Sequence, residues 1–210
     1  MFSAVVYTAG RTGSHLIIRN LTNYFNVPAR NYYDNNYING VVHCHNPLYI
    51  PPTDDFTCIV SKRKNKFNAI ISAIFASQTA EFTHYSDKII EPFKISIDNF
   101  KSSYIHYESV YKLIDISYYN NIIEIYYEDL INDPLHLFSK LNINWSIKYL
   151  TEKSPYNYYK LIENIDELKF CYDTLELTEI SIDDINSVKA SIEEDLNDIR
   201  LNYNGNRPYN

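Results

Sequence analysis

The stretch Ser3-Ala4-Val5-Val6-Tyr7-Thr8-Ala9-Gly10-Arg11-Thr12-Gly13-Ser14-His15-Leu16-Ile17-Ile18 reads as a strand, a tight glycine loop and the start of a helix. The chain holds only 4 Gly in 210 residues, and Gly10 and Gly13 both fall inside this loop. Glycine is needed where the backbone takes a positive φ or must approach a ligand closely. A strand-to-helix loop aims free backbone N–H groups and the positive end of the helix dipole at one point, which suits a phosphate or a sulfate. Arg11 and the hydroxyls of Thr12 and Ser14 add side-chain donors there. An ordinary βα turn would carry much of the same pattern, so the rest of the chain has to decide between them.

Length and composition set the frame. At 24.7 kDa the chain is expected to form a single domain over 1–210, with a motif-bearing core over 3–141 and a mostly helical part over 142–210. A hydrophobic content of 45% and a mean hydropathy of −0.33 describe a chain able to build a real core, and no apolar run reaches the length of a membrane span. With the first strand expected almost at once, no signal peptide is expected. The 3 Cys, at positions 44, 58 and 171, give neither a disulfide framework nor a zinc pattern, which fits a cytoplasmic location. A net charge of −7 argues against bulk nucleic-acid binding, so any anion site must be a local basic patch.

Outward from the loop, helical and strand patterns alternate. Leu16, Ile17, Leu21, Tyr24 and Phe25 recur at helical spacing up to Val27-Pro28, and residues 29–40 read as a loop. Val41–Cys44 and Phe56–Ser61 read as strands, and Phe67, Ile70, Ile71, Ile74 and Phe75 mark an amphipathic helix. Residues 82–96 fit no single state. A helix follows through Phe100, Tyr104, Tyr107, Tyr111 and Ile114, with Asp98 as its expected N-cap. Ile122–Tyr127 is the next strand, and Asp133-Pro134 is expected to open a helix through Leu141. Ser181 and Asp184 form a capping box for a last helix, with Ile182, Ile185, Val188, Ile192, Leu196 and Ile199 on one face and a frayed tail from Asn202. The alternation predicts an α/β fold: a three-layer, P-loop-like domain with a parallel sheet of four to five strands and helices on both faces. Ligands of such sheets bind at the carboxyl ends of the strands, where the glycine loop, the His43 segment and the basic run after Ser61 should meet.

Three elements carry chemistry. The loop is not a Walker A sequence, because Ser14 and His15 rather than Lys and Ser/Thr follow Gly13, and the gap between the glycines is too short. It still suits a phosphate-sized group held without a metal. His43-Cys44-His45-Asn46-Pro47 ends a strand, and two His at i, i+2 point to the same face. They fit a metal pair, a general base with an electrophilic helper, or two structural imidazoles; no third ligand is evident nearby for a metal. Lys62-Arg63-Lys64-Asn65-Lys66 places four cations at a helix start, with Ser72 eight residues beyond Lys64. A solvated basic turn is the plain reading. Cations at a helix N-terminus oppose its dipole, however, so an anion between them and the helix explains them better.

Together these elements resemble the sulfotransferases that use 3′-phosphoadenosine 5′-phosphosulfate (PAPS). Gly10-Arg11-Thr12-Gly13-Ser14 resembles the family's 5′-phosphosulfate loop, and His43-Cys44-His45-Asn46-Pro47 is similar to the segment that carries its catalytic His. Lys64 through Ser72 is similar to its Arg-x7-Ser 3′-phosphate motif, with Arg63-Lys64 in place of a doubled Arg. Ile125-Tyr126-Tyr127-Glu128-Asp129-Leu130 with Asp133-Pro134 resembles its Tyr-Glu-Asp-Leu and Asp-Pro signature, read as mainly structural. The family's Arg-Lys-Gly segment has no counterpart near the C-terminus, Lys64 stands where Arg is usual, and His43 replaces a Lys. The resemblance implies a PAPS donor, PAP (3′-phosphoadenosine 5′-phosphate) as product, no metal, and a small-molecule or carbohydrate acceptor, with neither nucleic acid nor membrane as partner. It implies His45 as general base, Arg11 as the hold on the 5′-phosphate and leaving group, and His43, when protonated, as support for the sulfuryl oxygens. Gly10, Thr12, Gly13 and Ser14 would complete the loop cradle, while Arg63, Lys64 and Ser72 would grip the 3′-phosphate. A different P-loop-like transferase or kinase, and a non-catalytic nucleotide-binding or interaction protein of the same fold, stay open.

Overall fold

The computed structural model describes residues 2–32, 39–51, 55–79, 89–133, 135–144 and 157–202, with side chains to residue 197. Strand β1 (Ser3–Thr8) runs through the loop into α1 (Ser14–Phe25), followed by β2 (Ala29–Asn31), β3 (Gly40–Cys44) and β4 (Thr57–Lys62). Helices α2 (Lys66–Thr79) and α3 (Ile97–Leu113) come next, then a 3₁₀ turn (Ile116–Tyr118), β5 (Asn121–Tyr126), α4 (Tyr127–Asn132) and α5 (His136–Lys140). Three further helices close the described chain, α6 (Tyr158–Leu161), α7 (Ile165–Leu175) and α8 (Ile182–Asn202).

The five strands form one parallel sheet in the order β2-β3-β1-β4-β5. Alternate side chains leave it on opposite sides, so each strand feeds two cores. Ala4, Val6, Val41, Ile59, Ile123 and Ile125 pack against Leu16, Ile17 and Leu21 of α1, with Leu130, Leu137 and Phe138 beyond them. Val5, Tyr7, Val42, Cys44, Cys58 and Val60 face the other way, against Ile114 and Tyr119. The Tyr111 O–H of α3 ties that side down by donating to the Ser61 carbonyl at 2.8 Å. Both central strands are buried on two faces, which is why they read as near-continuous apolar runs. Each fully buried Leu or Ile contributes about 1.5–3 kcal/mol, so Leu21 and Ile17 anchor α1, and with it the loop that precedes it. A third cluster of Phe67, Ile70, Ile71, Ile74, Phe100, Tyr104, Ile165 and Leu168 joins α2, α3 and α7. The result is the three-layer α/β arrangement that the alternation implies.

Local differences from the sequence reading have physical causes. Residues 29–31 are not loop but the short edge strand β2, whose pairing with β3 completes a five-stranded sheet. The N-cap of α3 is Ser96, whose Oγ accepts the Asn99 N–H at 3.1 Å, and Asp98 sits inside the first turn. Tyr127 opens α4 directly from the last strand residue rather than ending the strand. Asp133 does serve as a turn acceptor, for the Leu135 N–H at 3.0 Å, but the helix it precedes spans only His136–Lys140. Ser181 caps α8 at the expected place, its Oγ accepting the Asp184 N–H at 3.0 Å while its O–H donates to Asp184 Oδ2 at 2.7 Å. The stripe it begins is buried at Ile192 while Ile182 is exposed. Within 89–96 the backbone makes one isolated bridge, Phe93 to Ile162. Residues 82–88, Pro134 and the tail from 203 onward lie outside the described residues. Among the described residues no helix is long and apolar enough to cross a membrane.

Candidate functional site

Strand β1 is the centre of the sheet, and its carboxyl end runs into the loop between Thr8 and Ser14. Gly10, Arg11 and Gly13 have φ of 88°, 55° and 80°, so three of four consecutive residues are left-handed. A turn of this kind points successive N–H groups to one side and makes an anion-binding concavity. Its inner framework is a set of buried hydroxyls. Thr8 Oγ1 accepts the Gly10 N–H at 3.0 Å and lies 2.5 Å from Thr12 Oγ1, while the Ser61 O–H of β4 donates to the Thr12 carbonyl at 2.8 Å. Gly13 is the N-cap of α1, and the Tyr127 ring lies against it so closely that a Cβ there would stand 2.5 Å from Cδ2. Glycine is therefore required at 13 by space as well as by φ.

On one flank lie three imidazoles. His43 of β3 has the same parity as Val41 and faces α1, with Nε2 3.0 Å from Ser14 Oγ. The His43 ring is 4.4 Å from that of His45 and 4.9 Å from that of His15, centre to centre. The strand stops there because Asn46 folds back, its Oδ1 accepting the Leu48 N–H at 3.0 Å before Pro47 can extend the ladder. His45 Nδ1 lies 3.3 Å from the Thr8 carbonyl, which can only accept. That contact places the proton on Nδ1 and leaves Nε2 with a lone pair. Burial pushes the His43 pKa down to about 2, with His45 and His15 adding to the effect, so it is neutral at pH 7 and offers a donor or an acceptor but no charge. His45 is also lowered by desolvation, the Thr8 carbonyl opposing it, although the residue as a whole is exposed. His15 is lowered by desolvation and by the charges of Arg11 and Arg19. Among the described residues no group of three or more His, Cys, Asp or Glu is arranged to hold a metal.

On the other flank Arg11 Nε donates to Ser72 Oγ at 3.0 Å, and Ser72 Oγ is 3.0 Å from the Tyr158 hydroxyl. The structure thus brings Gly10, Arg11, Thr12, Gly13, Ser14, His43, His45 and Ser72 to one end of the sheet. The basic run behaves differently. Arg63 stacks its guanidinium over the Tyr127 ring at 4.6 Å and pairs with Glu128 at 3.5 Å. Lys64 pairs with Asp129, and the backbone N–H groups of Lys64 and Asn65 donate to the two Glu128 oxygens at 2.9 and 3.3 Å. Lys62 pairs with Glu124, and Lys66 with Glu108 at 2.8 Å. The anion expected at the start of α2 is thus supplied by the Glu-Asp pair of α4.

His15 and Tyr158 were not expected at this site, whereas Glu128, expected within a mainly structural motif, holds the N–H groups at the start of α2. His15 follows Ser14 directly and carried a usable signal; Tyr158 lies 86 residues from its partner Ser72 and carried none. Burial pushes the Cys58 thiol up to about 12 and that of Cys44 higher still. No family model matches this chain, and no curated protein and no solved structure matches it either.

Proposed function

We propose that the chain is a PAPS-dependent sulfotransferase, moving a sulfuryl group to a hydroxyl or an amine of a small-molecule or carbohydrate acceptor. One observation carries the reading: a left-handed glycine loop on the central strand, with a neutral, tautomer-fixed imidazole on one side and the Arg11–Ser72 pair on the other. The residues fit such a donor, because the loop N–H groups, Arg11 and the hydroxyls of Ser14 and Ser72 are phosphate-binding groups around one concavity. When bound, the donor supplies an activated sulfuryl group on a phosphate leaving group. Arg11 and the loop N–H groups hold the 5′-phosphate and stabilise the charge it gains on departure. His45 Nε2 accepts the proton of the attacking hydroxyl while Nδ1–H stays on the Thr8 carbonyl. His43 and Ser14, bonded to each other, present a donor beside the reacting group without adding a full charge. Arg63 and Lys64 reach a 3′-phosphate only by exchanging Glu128 and Asp129 for it. Scattered cysteines, two of them buried and neutral, suit a cytoplasmic protein.

A second reading has one observation in its favour. Glu128 already holds the N–H groups at the start of α2, which suits a protein that binds a nucleotide with no 3′-phosphate, or binds without transfer. A thermal-shift series with PAP, AMP, ATP and ATP with Mg²⁺ separates these. Stabilisation by PAP well beyond AMP and ATP supports the sulfotransferase; equal shifts with PAP and AMP overturn it, and a magnesium-dependent ATP shift points to a kinase-like transferase.

A further inference from the structure

We infer that Tyr158, from the C-terminal part of the chain, is a positioning residue of the anion pocket that sets Ser72 for the 3′-phosphate; this rests on the sulfotransferase reading. Its hydroxyl lies 3.0 Å from Ser72 Oγ, and the same oxygen accepts the Arg11 Nε–H at 3.0 Å. A serine hydroxyl has one proton and two lone pairs. With one lone pair taken by Arg11, the other contact decides where the proton points. If Tyr158 donates, the Ser72 O–H is free to turn toward a ligand oxygen; if Ser72 donates, its proton is consumed. An incoming phosphate selects the first arrangement, because only that one gives it a donor from Ser72 and leaves the Arg11 contact in place.

The segment holding Tyr158 is built to stay in position. Phe93 N–H donates to the Leu161 carbonyl and Glu163 N–H returns to the Phe93 carbonyl, both at 2.9 Å. Asn164 then clasps Ile95 from both sides, Oδ1 accepting its N–H at 3.1 Å and Nδ2 donating to its carbonyl at 2.9 Å. These bonds lock the residues just after Tyr158 to the strand of chain that leads into α3. The ring itself packs 5.2 Å from that of Phe75 on α2, the helix that carries Ser72. A hydroxyl whose ring is packed and whose following segment is tied down loses little entropy when it orders a neighbour, which is the condition for preorganising a site.

Tyr158→Phe keeps the ring and removes only the hydroxyl. The test titrates PAP and AMP into the wild type, Tyr158→Phe, Ser72→Ala and the double variant, with the melting temperature of each ligand-free protein as the folding control. We expect Tyr158→Phe to weaken PAP roughly three- to tenfold with AMP unchanged, as loss of one hydrogen bond in a charged network does. The Tyr158→Phe step should have no effect in the Ser72→Ala background, because the two act as one unit. Wild-type affinity for PAP in Tyr158→Phe overturns the inference, as do equal losses for PAP and AMP, or the same loss with and without Ser72. Failure of the wild type itself to prefer PAP over AMP instead overturns the sulfotransferase reading, and the inference with it.

Discussion

Two strand-to-helix turns stand side by side at the carboxyl edge of the sheet, one after β1 and one after β4. Counted by cations alone, the turn after β4 would suit an anion better, with four cations in the five residues 62–66 against one in the turn after β1. In the structure their characters are reversed. The turn after β4 is filled by carboxylates, Glu128 across two backbone N–H groups and Arg63, and Asp129 on Lys64. The turn after β1 is framed by hydroxyls, imidazoles and left-handed backbone. Counting cations along a sequence therefore says little about local potential. What decides it is which acids the topology returns to the same edge, and here β5 delivers Glu128 and Asp129 directly beside β4.

The contrast can be broken in four places. The largest effect is expected at the first turn, where His45→Ala should cut acceptor transfer roughly 10²–10⁴-fold while leaving PAP binding intact. If His45 is the base it must act in its neutral form, and because desolvation lowers its pKa the acid limb of kcat/KM against pH should fall below the ordinary value of 6.5. An acid limb at or above 6.5, or unchanged turnover in the variant, removes His45 from the mechanism. Next is Gly13→Ala, which forces a Cβ into the Tyr127 ring at φ 80° and should cost about 2–3 kcal/mol in denaturant melts. Gly10→Ala meets open space and should cost only the left-handed backbone penalty of about 1–2 kcal/mol. Equal losses would mean that Tyr127 does not constrain the loop.

At the second turn Glu128→Gln should cost about 1 kcal/mol, part of a charge-assisted network at a half-exposed site. Burial alone would raise the Glu128 pKa, but the N–H groups of Lys64 and Asn65 and the charge of Arg63 outweigh it and hold the carboxyl below its ordinary value of 4.5. A lowered folded pKa gives stability that is present above 4.5 and lost as pH falls through the lower folded value. Acid titration of wild type against Glu128→Gln should show that loss in the wild type alone. The same variant removes the negative charge beside Arg63, so PAP affinity should rise in it if this turn takes the 3′-phosphate; a fall would assign the turn to structure. The smallest effect belongs to Lys64→Ala. Its ammonium is exposed and must leave Asp129 to reach a ligand, so PAP should weaken only about two- to threefold relative to AMP.

Much of this architecture is legible without coordinates, for reasons that differ by element. β1, β3 and β4 announce themselves because parallel strands buried on two faces must be apolar throughout, the half-exposed edge strand β5 because Ile122, Ile123 and Ile125 are β-branched, and Ser181 with Asp184 because it is a local signal in four residues. β2 escapes because three residues at a sheet edge carry no periodicity, and α4 because it follows β5 without a turn residue between them. Ser96 and Asp98 are both competent caps by type, and only the phase of α3 separates them. Within the site, the glycine loop and the i, i+2 histidines are local patterns and can be read directly. The pairing of Lys64 with Asp129 spans 65 residues and that of Ser72 with Tyr158 spans 86, and such contacts exist only once the sheet order is known.

The central position of β1 has a consequence for how the molecule is made. Within this sheet β1 precedes in the chain both of the strands that pair with it, and one of them, β4, ends only at Lys62. The ring that wedges Gly13 arrives at residue 127 and the hydroxyl behind Ser72 at residue 158. A nascent chain shorter than that carries the loop sequence without the ring and the hydroxyl that pack behind it. Pairings of such long sequence separation slow the search for the native state and leave apolar strand edges exposed while it proceeds.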